Sequence, residues 1–205
     1  MKGVMNTPTE FWKGNFGDEY HTRNQGRIEA NMAMFSFILD CNEISPRSVI
    51  EFGAGMGENL IAIKRLCPQA RALAVEVNAK AVAAMREVDV INTTMACSIQ
   101  EFNDQAKAEL VLTKGLLIHL APEDLPAAYK ALYEASTRWI LVCEYYSQTP
   151  REINYRGHTG KAWARDFAGE ILDTYKDLKL LHYGFQYHRD KYPQDDINWF
   201  LMEHR

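Results

Sequence analysis

The stretch Ser-Val-Ile-Glu-Phe-Gly-Ala-Gly-Met-Gly-Glu-Asn-Leu, residues 48–60, decides the fold class of this chain. It begins as an apolar strand and runs into three glycines at alternate positions, Gly53, Gly55 and Gly57. Glycine adopts positive φ at little cost and has no Cβ to obstruct an approaching ligand. A strand, a glycine turn and a following helix therefore predict a ligand cradle.

Two ligand classes compete for this cradle. Dinucleotide folds use G-x-G-x-x-G/A, which presents a helix N-terminus to a pyrophosphate. Here Glu58 stands where that pattern has Gly or Ala, and its carboxylate would repel a pyrophosphate. Glu51 places a second acid on the strand itself. The acidic pattern favours a ligand with positive charge, such as S-adenosylmethionine with its amino and sulfonium groups, and an NAD(P) dehydrogenase is the alternative.

The bulk composition bounds the class of protein. The chain has 205 residues, enough for one domain with a substantial core. Its net charge of −4 goes with the absence of the clustered basic residues of a nucleic-acid binder. Since no apolar run is long enough for a bilayer and the N-terminus lacks the apolar core of a signal peptide, we expect no membrane partner and a cytoplasmic location. The widely spaced Cys41, Cys67, Cys97 and Cys143 predict reduced thiols and no metal site.

Apolar strands alternate with helical patterns along most of the chain. Strands are predicted at 48–52, 71–77, 108–113 and 138–144, with a weaker one near 89–95, and helices at 27–41, 57–66, 78–87 and 122–135. This order implies a parallel sheet covered by helices on both faces. Two further strands, 178–185 and 197–202, with a turn at Tyr192-Pro193, predict a terminal hairpin. We divide residues 1–205, a single predicted domain, into a helical cap (1–44), a cofactor-binding core (45–145), a substrate-side insertion (146–176) and the hairpin (177–205).

The ends of the predicted strands supply the cofactor contacts, because ligands of open α/β sheets bind beyond the carboxyl ends of the strands. Glu76 lies about 20 residues beyond the glycine loop, where an acceptor-only carboxylate suits a ribose diol, although it also fits a surface glutamate. Ser98 and Ile99 offer a polar edge and an apolar face for adenine, or form a plain loop. The predicted cofactor set from these strand ends is Glu51, Gly53, Ala54, Gly55, Gly57, Asn59, Glu76, Val77, Ser98, Ile99, Lys114 and Gly115.

Candidates for the chemistry follow the fourth and fifth strands. Lys114 and Gly115 leave the fourth strand where a transferable methyl group is expected. His119 is either a general base near neutral pH or a structural histidine bonded to a backbone carbonyl. Residues 145–167 are long and aromatic for a strand connection, and are either a substrate-binding segment or a solvated loop. Its candidate substrate contacts are Tyr145, Tyr146, Tyr155, Arg156, His158, Arg165 and Asp166, with His158 and Tyr155 joining His119 as catalytic candidates.

Several motifs together give a family resemblance. They are Phe11-Trp12-x-Gly-x-Phe16-Gly17-Asp18-x-Tyr20-x-x-Arg23-Asn24, the glycine loop, Tyr155-Arg156-Gly157-His158, Arg165-Asp166-Phe167-Ala168-Gly169-Glu170, Tyr187-His188-Arg189-Asp190 and Gln194-Asp195-Asp196-Ile197-x-Trp199-Phe200. The chain resembles class I S-adenosylmethionine-dependent methyltransferases and, more closely, the pseudaminic acid biosynthesis-associated methylase family. The resemblance implies a Rossmann-like, mostly parallel seven-stranded sheet with an antiparallel C-terminal strand, helices on both faces and a short N-terminal helical cap.

The same resemblance assigns roles to the N-terminal segment. It implies that Tyr20 and Arg23 close over the cofactor, with Arg23 pairing with its carboxylate. Trp12 and Phe16 would lie against the sulfonium or the substrate, since a cation over an aromatic face is stabilised by about 0.5–2 kcal/mol. The alternative is a capping helix whose aromatic side chains only pack.

These observations predict S-adenosylmethionine-dependent methyl transfer, with S-adenosylhomocysteine as product, to an oxygen or nitrogen of a small polar substrate. By the resemblance, that substrate is an amino sugar or sugar nucleotide of surface-glycan biosynthesis, or a related metabolite. A catalytically silent cofactor-binding or scaffold protein is the alternative. Methylation of protein or nucleic acid would need a broad basic groove, which an acidic chain does not favour.

Overall fold

The computed structural model describes residues 7–24, 26–103 and 105–205, except the side chains of His21 and Thr22. The first six residues of the predicted cap therefore lie outside the described residues. The helices are α1 (Pro8–Lys13), α2 (Asn15–Arg23), α3 (Ile28–Cys41), α4 (Glu58–Leu66), α5 (Ala79–Arg86), α6 (Leu125–Ala135) and α7 (Phe167–Thr174). The strands are β1 (Ser48–Phe52), β2 (Arg71–Glu76), β3 (Thr93–Ala96), β4 (Ala108–Lys114), β5 (Ser136–Glu144), β6 (Arg151–Glu152), β7 (Trp163–Ala164), β8 (Leu178–Gln186) and β9 (Ile197–His204).

Seven strands form one sheet in the order β3-β2-β1-β4-β5-β9-β8. Strands β1 to β5 pair in parallel, whereas β9 runs antiparallel to both β5 and β8. The strand order reverses between β1 and β4, which is where an open α/β sheet binds its ligand. The structure confirms the predicted seven-stranded sheet with its antiparallel C-terminal strand.

Strand β1 shows why the sheet is covered on both faces. Ile50 and Phe52 join the core beneath α6 and α7, while Val49 joins the core beneath α3 and α4. Alternate residues of a strand point to opposite faces, so an apolar strand of this kind needs helices on both sides. Glu51, on the same face as Val49, is fully buried at the carboxyl end of β1. An acid is thus held in the interior next to the glycine loop.

The N-terminal segment has two parts with different functions. Helix α3 contributes Met34, Phe35 and Ile38 to the buried core, so it is a layer of the domain more than a cap. Only α1 and α2 lie over the strand ends, where the buried Asn78 side chain donates to the Trp12 carbonyl (3.2 Å) and to Asp18 Oδ1 (2.9 Å). The cap is therefore fixed to the residue that also caps α5 through a bond from the Ala81 amide.

Two local features differ from the sequence prediction. The predicted helix 122–135 begins as a 3-10 turn, Pro122–Asp124, before α6. Segment 145–167 forms the two-stranded β6–β7 ribbon, which ends in a tight turn where Tyr155 and His158 bond each other's backbone. Arg156 (φ 51°) and Gly157 (φ 86°) occupy the centre of that turn, the left-handed pair of a type I′ hairpin. In the part of the chain that the structure describes, no helix has the length and apolarity to cross a bilayer.

Candidate functional site

Two adjoining cavities open at the carboxyl ends of the strands. The residues that line only the β2–β3 cavity include Val75, Glu76, Val77, Cys97, Ser98, Ile99 and Gln100. Those that line only the tyrosine cavity include Arg27, Asn31, Asn59, Glu144, Tyr145, Tyr155 and Asp195. Both are lined by Tyr20, Gly53, Gly55, Lys114, Gly115 and His119. The shared walls make the cavities one continuous site, and these six residues form what we call the junction.

The glycine loop takes a conformation that requires glycine. Gly53, Gly55 and Gly57 have φ values of 72°, 54° and 75°. A Cβ on Gly53 would lie 2.9 Å from Leu116 Cδ1, and one on Gly57 would lie 2.5 Å from Ile91 Cδ1. Gly57 precedes α4 without lining either cavity, so the predicted cofactor contact at Gly57 is replaced by a role in turning the chain into the helix.

Glu76 ties the end of β2 to the glycine loop. One oxygen accepts from the Gly55 amide (2.8 Å), and the other accepts from the amides of Val77 (2.8 Å) and Asn78 (2.7 Å). These three donors fix the carboxylate at the floor of the β2–β3 cavity. Since each carboxylate oxygen has further lone pairs, Glu76 still has acceptor capacity for a ligand that enters the cavity.

Glu51 and Asn59 leave two buried acceptors at the end of β1. Asn59 Nδ2 donates to Glu51 Oε1 (2.6 Å), while Glu51 Oε2 and Asn59 Oδ1 have no hydrogen-bond partner among the described residues. Burial raises the pKa of Glu51 to about 8, against the lowering effects of the Asn59 hydrogen bond and the nearby Lys114. Buried acceptors without donors are costly, so this point is suited to a ligand that brings hydrogen-bond donors.

Lys114 stands at the junction as predicted from its place at the end of β4. No described residue lies within ion-pair distance of its amine, although Glu51 and Asp195 act on it electrostatically. Burial lowers the pKa of Lys114. Gly115 follows at φ 69°, with open space where a Cβ would stand.

Ser98 and Ile99 face the β2–β3 cavity, and Val77 lines it beside them. Glu101 accepts from the Ser98 amide (3.0 Å) and hydroxyl (2.9 Å), which closes the turn after β3. Gln100, which the sequence analysis did not select, also lines the cavity and holds a buried oxygen without a partner in the described structure. The cavity therefore combines an apolar face with polar groups at one edge.

His119 makes the backbone-carbonyl bond of the structural interpretation, one of the two that the sequence left open. Its Nδ1 lies 2.8 Å from the Lys161 carbonyl, so Nδ1 carries the proton and donates, and Nε2 of the neutral ring keeps its lone pair. Burial lowers the pKa of His119 to about 4, although that carbonyl bond opposes the shift. The ring is thus a neutral acceptor that lines both cavities.

Glu144 holds the turn that carries His119, a role the sequence analysis did not assign. From the end of β5 it accepts the amides of Leu116 (3.0 Å), Leu117 (3.0 Å) and Ile118 (3.3 Å). Burial nevertheless raises the pKa of Glu144 to about 7. The only sequence signal was an acid as the last residue of a strand, as Glu76 is on β2.

An aromatic cluster covers the junction. Trp12 contacts Tyr20 (5.1 Å between ring centroids), His119 (4.5 Å) and Tyr155 (6.3 Å), while Phe16 contacts Trp12 (5.3 Å) and Tyr155 (6.1 Å). Trp12 lines the β2–β3 cavity, and Tyr155 lines the tyrosine cavity. The cap and the β6–β7 turn therefore meet over the site. Trp12, Tyr20 and Tyr155 also line the cavities, whereas Phe16, a predicted substrate contact, packs in the cluster and lines neither of them.

Several predicted site residues lie elsewhere. Arg23 binds Glu19 (2.8 Å) and stacks on Phe16, and the exposed His158 packs against Phe11 and Phe16 on the outside of the cluster. Neither residue lines a cavity, and Arg156 beside the Tyr155 ring is exposed as well. Their positions are set by the α2 surface and the type I′ turn, which the sequence did not resolve.

The other displaced residues have structural partners. Arg165 donates to Glu170 (2.8 Å), which also accepts from the Tyr129 hydroxyl (2.7 Å). Asp166 caps α7 by accepting from the Gly169 amide (2.9 Å), and the exposed Tyr146 packs on Phe200. In the described structure these three predicted substrate contacts are outside both cavities, whereas Tyr145 lines the tyrosine cavity.

The tyrosine cavity also contains a charged pair that spans the chain. Arg27 donates to both carboxylate oxygens of Asp195, at 2.6 and 3.0 Å, and Gln194 next to it donates to the buried Asn31 (3.0 Å). The Gln194-Asp195-Asp196 motif was noted in the sequence, but its neighbours across the cavity were not. Glu58 is part of the same arrangement, because its carboxylate accepts the amides of Gly26 and Arg27. It fixes the segment before α3 to the glycine loop, which explains an acid at this position independently of any ligand.

Comparison with known proteins identifies the fold. No family model and no curated protein sequence matches the chain. Magnesium protoporphyrin IX methyltransferase from Synechocystis PCC 6803 superposes with a TM-score of 0.70 at 11% identity, over 96% of this chain and 98% of that one. A 1,6-didemethyltoxoflavin-N1-methyltransferase from Burkholderia thailandensis gives 0.71 at 15% identity, over 100% and 93%. The plantazolicin methyltransferase BpumL gives 0.68 at 13% identity, over 98% and 96%.

All three neighbours were crystallised with S-adenosylhomocysteine. At these identities the likeness defines the architecture, and the resemblance to the pseudaminic acid-associated family stays a prediction. The chain has the Rossmann-like fold of the class I S-adenosylmethionine-dependent methyltransferases.

Proposed function

We propose that this protein transfers a methyl group from S-adenosylmethionine to an oxygen or nitrogen atom of a small polar molecule. One observation carries the proposal: the glycine loop and Glu76 open on a cavity that continues, past Lys114 and His119, into a second polar cavity. A donor and an acceptor can therefore meet within one site. The methyltransferase neighbours with bound S-adenosylhomocysteine support this assignment.

The residues of the β2–β3 cavity fit the adenosine half of S-adenosylmethionine. Glu76 has acceptor capacity for ribose hydroxyls, and Ser98 and Ile99 offer an edge and a face to adenine. Glu51 Oε2 and Asn59 Oδ1 are the buried acceptors that an amino group would satisfy. The acidic residues around the loop also suit a cationic ligand better than a pyrophosphate, which disfavours a dehydrogenase.

The tyrosine cavity suits a small acceptor with several polar groups. Tyr20, Tyr145 and Tyr155 carry hydroxyls on apolar rings, and Asn31 adds an amide. The neighbours' names indicate acceptors of many sizes, including a porphyrin and a toxoflavin precursor, so the fold itself does not choose the acceptor. An amino sugar or sugar nucleotide stays our proposal for the acceptor class, because its hydroxyl and amino groups match these donors and acceptors.

The chain's contribution to the reaction is alignment and exclusion of water. When bound, S-adenosylmethionine supplies an electrophilic methyl group on sulfonium. The aromatic cluster closes over the junction, and Glu144 fixes the turn on which His119 Nε2 accepts a hydrogen bond from the acceptor. Holding two reactants in line is worth roughly 7–11 kcal/mol, more than any single contact here.

The experiment is methyl transfer from labelled S-adenosylmethionine to a panel of amino sugars, sugar nucleotides and amino acids, read by mass spectrometry. We expect one acceptor class to gain label and S-adenosylhomocysteine to accumulate in proportion. Glu76→Ala is the inactive variant, and Glu123→Ala, which changes an exposed acid outside both cavities, is its matched control.

Two outcomes would contradict the proposal differently. Binding of S-adenosylhomocysteine without transfer to any panel member or cell extract would favour the silent cofactor-binding protein. Absence of binding would remove the methyltransferase function altogether.

A further inference from the structure

We propose that Lys114 is the general base of the transfer, so that its neutral amine takes the proton of the acceptor. This inference rests on the proposed function and adds a role to a residue that the sequence placed only among the cofactor contacts. It assigns His119 to holding the acceptor.

The position of Lys114 is the first argument. A ligand with its adenosine in the β2–β3 cavity and its amino-acid end near Glu51 must pass the junction, where Lys114, Tyr20 and His119 line both cavities. The sulfonium joins those two parts of the ligand. The Lys114 amine therefore lies where the sulfonium and the acceptor atom would meet.

The charge balance around Lys114 is the second argument. No acidic side chain of the described residues lies within 4 Å of its amine, and burial lowers its pKa. A sulfonium arriving in the same space adds a positive charge, which disfavours the ammonium form further. The bound cofactor would thus leave Lys114 as a neutral amine with one lone pair facing the acceptor.

The groups that face Lys114 act on its charge in both directions. Arg27 adds repulsion from the segment before α3, whereas Glu51 on β1, Asp195 in the β8–β9 loop and Cys143 on β5 favour the charged amine. The other titratable groups lining the two cavities are Tyr20, Glu58, Glu76, Cys97, His119, Glu144, Tyr145 and Tyr155. The acids stabilise the ammonium that forms when Lys114 accepts a proton.

The proposed step balances in atoms and charge. The acceptor oxygen loses its proton to Lys114 Nζ and forms a bond to the methyl carbon, while the electron pair of the carbon–sulfur bond stays on sulfur. One positive charge enters as sulfonium and remains as the Lys114 ammonium, so the site holds the same net charge before and after. With an amine as acceptor, Lys114 takes the proton that the methylated nitrogen releases.

His119 is less suited to this role. Its pKa of about 4 makes it a weak proton acceptor at neutral pH, even though Nε2 has a lone pair in the cavity. A base works best when its pKa lies near the operating pH. His119 therefore orients the acceptor, and Lys114 receives the proton.

The test needs no identified acceptor, because S-adenosylmethionine is cationic at sulfur and S-adenosylhomocysteine is not. Calorimetric titration of both ligands from pH 5 to 10 gives the dissociation constant of S-adenosylmethionine divided by that of S-adenosylhomocysteine, for the wild type and for Lys114→Met. The ligands' own amino groups titrate in this range. The quantity compared is therefore the wild-type ratio divided by the Lys114→Met ratio at each pH.

We expect this quotient to fall about tenfold as the pH rises, because deprotonation of Lys114 removes its repulsion of the sulfonium. Lys114→Arg stays charged and should therefore weaken the binding of S-adenosylmethionine at every pH. It replaces Lys114→Met in the comparison if the Met variant fails to fold. Glu51 also titrates near pH 8 and would act in the same sense, so Glu51→Gln is the control and should keep the fall.

A flat quotient with both ligands bound would overturn the role of Lys114 and leave the proposed function standing. The role of Lys114 would also be overturned if the quotient no longer falls with pH in Glu51→Gln, since Glu51 would then be the titrating group. Failure of both ligands to bind would overturn the proposed function and this inference together.

Once the panel supplies an acceptor, kinetics separate a base from an anchor. A base predicts that Lys114→Arg loses kcat by at least about 100-fold with KM little changed. An anchor for an anionic acceptor predicts that Lys114→Arg keeps kcat and that Lys114→Met mainly raises KM, which would contradict the proposal.

Discussion

The two cavities of the site differ in how the chain builds them. The β2–β3 cavity takes its polar groups from strand ends, where Gly53, Glu76 and Ser98 stand at fixed places on a parallel sheet. The tyrosine cavity is assembled from the cap, the turn after β4, the β6–β7 ribbon and the β8–β9 loop. Its ion pair joins Arg27 to Asp195, 168 positions apart in the chain. The sheet therefore supplies the polar groups of one cavity, and connecting segments supply those of the other.

The largest expected effect comes from the sheet side. Glu76→Ala removes the acceptor for three backbone amides and for the ribose, and charge-assisted hydrogen bonds contribute about 1.5–3 kcal/mol each. We expect S-adenosylhomocysteine affinity to fall at least about 100-fold by calorimetry, with Glu123→Ala unchanged. A loss under about threefold would mean that the strand ends do not hold the ligand.

Stability should depend on pH through the buried acids. Burial raises the folded-state pKa of Glu51 to about 8 and that of Glu144 to about 7, above their values in the unfolded chain. The folded state then binds more protons, so their contribution is complete below about pH 4.5 and is lost as the pH rises through 7 and 8.

Buried His119 and Lys114, whose pKa values burial lowers, act in the opposite sense, so the difference between the wild type and Glu51→Gln isolates one acid. We expect the free energy of unfolding, measured in urea, to fall between pH 5.5 and 8.5 by roughly 2 kcal/mol or more beyond the change seen in Glu51→Gln. Glu51→Gln keeps an acceptor for Asn59 and should flatten part of the slope. A wild-type slope no steeper than that of Glu51→Gln would contradict the assigned burial of Glu51.

A contribution of the cap to ligand binding would blur the division between the cavities. Trp12 lines the β2–β3 cavity although it belongs to α1. We expect Trp12→Ala to weaken S-adenosylhomocysteine binding about tenfold, since a buried aromatic side chain contributes about 1.5–3 kcal/mol and part of the gap will refill. Phe11→Ala is the control because Phe11 packs in the same cluster without lining a cavity, and equal losses would make the effect one of cap packing.

A smaller effect should separate stability from binding in the insertion. Asp166 is the N-cap of α7, and replacing such a cap by alanine costs about 1 kcal/mol. We expect Asp166→Ala to lower the free energy of unfolding by that amount and to leave S-adenosylhomocysteine affinity within twofold. A tenfold loss of S-adenosylhomocysteine affinity would show that Asp166 contributes to the ligand site.

The smallest effect is expected at the mouth of the tyrosine cavity. The Arg27–Asp195 pair is partly exposed, so Asp195→Asn should change stability by less than about 1 kcal/mol. S-adenosylhomocysteine affinity should stay within twofold, because the pair faces the acceptor side. Denaturation and calorimetry on the same variant check both numbers, and strong loss of the cofactor would show that the two cavities do not divide the ligands as proposed.

The same difference explains what the sequence could predict. The alternation of strands and helices, the glycine cradle, Glu51, Glu76 and Lys114 follow from local patterns whose places on a parallel sheet are known in advance. The partners of Arg165, Asp166 and His158 depend on packing between distant segments, and no periodicity encodes them.

The acids illustrate this limit most clearly. Glu58 and Glu144 were visible in the sequence, but their carboxylates bind backbone amides of the segment before α3 and of the turn after β4. Which amides an acid will meet is a property of the folded chain. The sequence therefore located many residues of the β2–β3 cavity and only the neighbourhood of the tyrosine cavity.

We propose above all that the β2–β3 cavity holds the adenosine of S-adenosylmethionine. Calorimetric titration of the wild type with S-adenosylhomocysteine, followed by NADH on the same preparation, tests it most directly. We expect one S-adenosylhomocysteine site per chain, which is lost in Glu76→Ala, and no heat of binding from NADH. Saturable binding of NADH with no response to S-adenosylhomocysteine would contradict it.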